Sequence, residues 1–190
     1  MHLQDKWVIK QLRDVGLDAI IFGSAIREEY FNEESDELDI YLFVADPEDP
    51  RLELNKIIHT LELGKVPNVD FIREENVNFE EEFSDDSPIE RVISVDKQGR
   101  YYKLHIGSIP SKLFVSDWIS VGLNKCFYDG KKTHYSTHFL NDFNNKSITI
   151  LNGQDAPHLW VAVTYHTPEI MFLHPGFTVK IDIKHIMTGR

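Results

Sequence analysis

The chain has 190 residues, 42% of them hydrophobic and 12% aromatic, enough to bury the core of a single domain spanning 1–190. Its formal charge of -11 opposes a nucleic-acid backbone, so a small molecule or a protein is the favoured partner and long nucleic acid the disfavoured one. No apolar run approaches the roughly 18–20 residues of a membrane helix, the first residues carry no apolar signal core, and the lone Cys126 excludes an internal disulfide, which together imply a cytoplasmic protein.

Trp7, Val8, Leu12 and Val15 recur at helical spacing, which predicts a helix over 4–15 stopped by Gly16. A buried strand over 17–22 follows, then one or two helical turns over 25–31. A second strand, 38–44, closes in the turn Asp46-Pro47-Glu48-Asp49-Pro50. A helix is expected over 52–63 with Gly64 as its stop, and a third strand over 68–72. The acidic stretch 74–87 reads as an exposed loop or insertion. Segments 90–95 and 100–106 flank Asp96-Lys97-Gln98-Gly99, a hairpin signal. Downstream, extended pieces are expected over 112–115 and 123–128, a short helix over 139–143, a strand over 146–151, helix broken at Pro168 over 158–174, and a last extended segment over 179–183. The fold class is therefore α/β (α+β): a mixed sheet, helices mainly on one face, and an elaborated C-terminal half.

The chemistry concentrates between residues 19 and 43. An apolar run ends in Gly23-Ser24, and a second opens with Glu37-Leu38-Asp39. In a strand, residues two apart share a face about 7 Å apart, so Glu37 and Asp39 form a pair of carboxylates able to hold divalent cations. The small-residue turn would let backbone N–H groups approach a phosphate. Arg27 is placed to reach that phosphate. A third carboxylate must come from elsewhere: Asp70, isolated between Val69 and Phe71, or Asp117. His134 and His138 lie four apart without a placed third ligand, Lys125, Lys131 and Lys132 form a small basic patch, and the histidines from His158 onward sit among aromatics, where packing is the default.

These residues resemble the nucleotidyltransferase superfamily that includes polymerase beta, the CCA-adding enzymes and small antibiotic-modifying or toxin-linked transferases. Its pattern of strand, Gly-Gly or Gly-Ser, Arg, then acid-x-acid maps onto Gly23, Ser24, Arg27, Glu37 and Asp39; Glu28 stands where a glycine is usual, and Glu37 where Asp is usual. In the second half, Cys126-Phe127-Tyr128-Asp129-Gly130, Thr137 to Asp142, Asn145 to Ile150 and Leu173 to Val179 are similar to nucleotidyltransferase-like proteins of tailed bacteriophages. The resemblance implies Mg2+-dependent transfer of NMP from an NTP to a small-molecule, RNA-end or protein acceptor in a host cytoplasm. Glu37, Asp39 and Asp70 would hold the metal; Gly23, Ser24 and Arg27 would bind the nucleotide. The alternative is a catalytically inactive protein of the same fold that binds a host protein through its acidic surface, including Glu80, Glu81 and Glu82.

Overall fold

The structure, a computed structural model, describes residues 3–45, 71–75, 89–97, 100–151 and 162–182. The expected helix over 52–63, Asp70 and the acidic run Glu80 to Glu82 lie outside the described residues. Helix α1 (Leu3–Asp14) carries Asp5 in its first turn and Arg13 in its last, both favourable to the helix dipole, and ends at Gly16 with φ 85°. Strand β1 (Asp18–Phe22) leads through Gly23 into α2 (Ser24–Phe31), which closes on Asn32 in the left-handed conformation. Strands β2 (Glu37–Phe43), β3 (Phe71–Glu75), β4 (Ile89–Lys97) and β5 (Arg100–Gly107) follow. Then come β6 (Cys126–Tyr128), β7 (Thr133–Tyr135), α3 (Thr137–Asn145), β8 (Ser147–Leu151), α4 (Thr167–Leu173) and β9 (Thr178–Asp182).

Among the described residues, seven strands form one mixed sheet in the order β3-β4-β5-β2-β1-β6-β7, and β8 pairs with β9 separately. Within it β2 runs antiparallel to β1 and parallel to β5. Period-two alternation sorts the side chains. Ala19 and Ile21 of β1, Leu38, Ile40 and Leu42 of β2, and Tyr102, Leu104 and Ile106 of β5 join Val8, Ile9, Leu12 and Ile26 in the main core. Ile20, Phe22 and Tyr41 face the other way into a second cluster with Phe114 and Val115. Glu37, Asp39, Lys103 and His105 share that second face by the same alternation. Helices α1 and α2 thus cover one side, and the polar residues of β2 and β5 emerge on the opposite one.

Three local expectations are revised. Residues 112–115 are helical rather than extended: Ser111–Leu113 and Phe114–Trp118 coil after Pro110, because only coiling sets both Phe114 and Val115 against the second cluster. The strand over 123–128 shrinks to Cys126–Tyr128, preceded by a 3-10 turn at Gly122–Asn124, and a hairpin partner, β7, appears beyond Gly130. Glu74 and Glu75, expected in a loop, lie in β3 beside β4. The expected break at Pro168 has a counterpart: a π-helical turn, Ala162–His166, runs into α4, and Pro168 sits in the first turn of α4, where its missing N–H costs nothing.

Candidate active site

The site is built where β1 ends. Phe22 lies opposite Asp39 in the antiparallel β1–β2 register. The next residue, Gly23, has φ 72° and ψ -132°, a region open essentially to glycine alone. This turn sends α2 across to the helical side of the sheet while its backbone stays close to the carboxylate. A Cβ placed on Gly23 would lie 4.0 Å from Asp39 Oδ2. Gly23, Ser24 and Asp39 are therefore brought together, with Glu37 two residues along the same face.

Each acid has a basic neighbour on β5. His105 Nε2 lies 2.8 Å from Asp39 Oδ1, and Lys103 Nζ pairs with Glu37 Oε1. His105 also packs edge-on against Phe22, with ring centroids 5.4 Å apart, and its Nδ1 has no hydrogen-bond partner. The parallel register sets Asp39 beside Lys103 and Tyr41 beside His105, so both pairs are diagonal, one step along the strand. Asp39 beside the turn, with Glu37 two residues along the same face, is a carboxylate set that suits Mg2+, which is held by one or two carboxylates together with waters and substrate phosphates. Among the described residues, no third acid, histidine or cysteine joins Glu37 and Asp39 in a group tight enough for an ion. Asp117 is on the Phe114–Trp118 coil, where Ser116 Oγ donates to its Oδ1 at 2.6 Å.

Arg27, expected at a phosphate, is an interior residue. Its guanidinium is wholly buried and donates three ways: from Nε to Glu28 Oε1 at 2.6 Å, from Nη1 to Asn124 Oδ1 at 2.6 Å, and from Nη2 to Glu169 Oε1 at 2.8 Å. One side chain so joins α2, the 3-10 turn before β6, and α4. Burial raises the pKa of Glu28, with Arg27 opposing it and Glu33 adding to it. Glu169 and His166 are exposed at the start of α4.

The basic patch is organised by Asp129. It accepts the N–H groups of Lys131 and Lys132, each at 2.9 Å, and meets His134 Nε2 at 2.7 Å. Burial alone would raise its pKa, but these bonds outweigh burial and hold the carboxyl well below the usual range. His134 is therefore committed to Asp129, and His138 is exposed on α3. Cys126 is fully buried, burial pushes its thiol far up, and it packs as an inert small hydrophobe. The residues that sequence reading missed are Lys103, His105, Asn124 and Glu169. Alternation within 101–106 marked Lys103 and His105 as sharing a face; what it lacked was the pairing of β5 with a strand sixty residues earlier.

Solved structures of similar shape are CCA-adding and tRNA-processing enzymes. The Bacillus stearothermophilus CCA-adding enzyme in complex with CTP superposes with a TM-score of 0.60 at 12% identity, covering 95% of this chain and 42% of that one. The Thermotoga maritima CCA-adding enzyme complexed with tRNA gives 0.58 at 10% identity over 95% and 39%. A tRNA-processing enzyme with CTP gives 0.55 at 15% identity over 91% and 43%. The chain shares the nucleotidyltransferase fold and spans about two fifths of the length of these proteins. No family model matches the sequence, and no curated protein does.

Proposed function

We propose that this chain is a nucleotidyltransferase, transferring a nucleoside monophosphate from an NTP to an acceptor with the help of Mg2+. The observation that carries the reading is the seating of Asp39 against the Gly23-Ser24 turn, on a fold shared with enzymes solved in complex with CTP. Glu37 and Asp39 would hold the metal, with Asp70 as the third acid; bound there, Mg2+ neutralises the triphosphate and polarises the reacting phosphoryl group. The Gly23 backbone admits the phosphates closely, and Ser24 offers its hydroxyl and N–H at the first turn of α2. Lys103, paired with Glu37 at the open face, is the group here that can transfer to a phosphate oxygen when Mg2+ takes its carboxylate. Arg27 acts from within, holding α2 in place behind the turn.

A small-molecule, RNA-end or protein acceptor fits the net charge of -11 better than a long polyanion. The second-half segments, Cys126 to Gly130 and Asn145 to Ile150, support a place among nucleotidyltransferase-like proteins of tailed bacteriophages, acting in a host cytoplasm. The second reading is an inactive member of the fold that binds a basic host protein. The pairing of both acids with Lys103 and His105 favours it, since such pairs satisfy the carboxylates without metal. Incubation with each α-labelled NTP, Mg2+ and candidate acceptors separates the two. Label transfer lost in Asp39→Asn supports the enzyme; no transfer and no NTP binding, with a salt-sensitive protein partner, supports the binder.

A further inference from the structure

Behind the β1–α2 turn, on the helical side of the sheet, lies a second cluster of titratable groups. We propose that Glu28, Glu33 and His174 form a binding site for a divalent transition-metal ion of the Zn2+ class, distinct from the Glu37–Asp39 face, that pins the turn after α4 onto α2.

One ligand atom from each of the three residues lies within 4.8 Å of the others. His174 Nε2, the nitrogen that would hold the ion, is 3.3 Å from Glu28 Oε2, and Nδ1 on the other edge of the ring is 3.8 Å from Glu33 Oε1. Glu28 is 3% exposed and His174 7%, yet among the described residues neither Glu28 Oε2 nor His174 Nε2 has a hydrogen-bond partner. A charge-assisted N–H···O bond would draw such a pair to about 2.7–2.9 Å in good alignment. Two ligands on a tetrahedral zinc, each about 2.1 Å from the ion, stand about 3.4 Å apart. The Glu28–His174 spacing matches the second geometry. Two buried atoms that face one another without a hydrogen bond are what an ion would join.

The surroundings are arranged for it. Asn32 in the left-handed conformation turns the chain back at the end of α2, and the Glu33 N–H donates to the Glu28 carbonyl at 2.8 Å, so both carboxylates come to one end of the helix. The His174 ring is fixed by stacking on Phe31, centroids 3.9 Å apart at 23°, and the His174 backbone N–H donates to the Ile170 carbonyl at 2.8 Å. Charge points the same way. Glu28, Glu33 and Glu169 set three carboxylates against the single guanidinium of Arg27, which leaves two negative charges for one divalent ion to cancel. One imidazole and two carboxylates favour zinc over softer copper(I) sites, and three protein ligands leave a fourth position for water. His174 directly follows α4, so an ion here ties α4, and through Glu169 the Arg27 network, to the helix that starts at Ser24.

The test uses the untagged full chain, stripped with a chelator and titrated with Zn2+ against a chromophoric competitor. Co2+ serves as an optical probe, and thermal melting is followed in parallel. The expected result is one equivalent of Zn2+, a raised Tm, and a Co2+ visible band that millimolar Mg2+ does not remove. Glu33 is half-exposed, so Glu33→Gln should fold normally and bind Zn2+ at least ~100-fold more weakly, beyond the loss usual for an outer partner. His174→Gln should lose the Co2+ band, and Asp39→Asn should retain it. Absence of stoichiometric Zn2+ binding would overturn the proposal. So would binding unchanged in Glu33→Gln and His174→Gln, or binding lost in Asp39→Asn, which would move the ion to the other face.

Discussion

At Gly23, φ of 72° and ψ of -132° strain any residue but glycine, and the position directly precedes the helix that opens the site. Gly23→Ala should cost about 1–3 kcal/mol of stability through backbone strain, read as a lower midpoint in urea, and should weaken NTP binding because the turn shifts against Asp39. Asp129 provides a pH test. Its folded pKa lies below the unfolded value, so its contribution is fully present above about pH 4 and fades as pH falls through the folded value. Asp129→Ala should therefore destabilise by about 1.5–3 kcal/mol at neutral pH, and the gap from the parent should narrow in melts taken below pH 4. Residue by residue, Gly23, Ser24, Glu37 and Asp39 were legible because a period of two and a small-residue turn are local signals. His105 and Lys103 were not, since their meaning depends on which strand lies alongside. The expectation of Arg27 at a phosphate rests on its short distance to the turn in sequence. Its burial is decided by Asn124 and Glu169, which no local pattern brings near.

Among the elements, α2 is the one on which the rest converge. Arg27 within it bonds Glu28, Asn124 and Glu169, linking α2 to the turn before β6 and to α4. Arg27→Met would leave Glu28 buried with its burial penalty and without its cation. A loss of about 3–5 kcal/mol is expected, measured by denaturant unfolding, together with increased amide exchange in α4. The longer elements α1, β1 and β2 could be read from periodicity, because their buried faces repeat, and the β4–β5 hairpin from its turn signal at 96–99. The coil at Ser111–Trp118 could not, since its conformation is set by two side chains, Phe114 and Val115, filling the space beside Ile20, Phe22 and Tyr41. Strand β7 is three residues long and half-buried throughout, too short to show an alternation.

For the whole molecule, the decisive fact is how the sheet is ordered. Placing β2 between an antiparallel β1 and a parallel β5 sets Asp39 beside the glycine turn on one flank and both acids beside Lys103 and His105 on the other. The same arrangement serves a metal-assisted transferase and a metal-free binder, and the difference lies in whether a cation can displace Lys103 and His105 from the carboxylates. The most direct test is equilibrium binding of NTPs at fixed protein concentration, with and without Mg2+, for the parent chain and Asp39→Asn. The nucleotidyltransferase account predicts binding that strengthens at least about tenfold with Mg2+ in the parent, as expected when a metal bridges carboxylate and phosphate, and no such gain in Asp39→Asn. Equal NTP binding with and without Mg2+, or a Mg2+ gain that survives in Asp39→Asn, would contradict it.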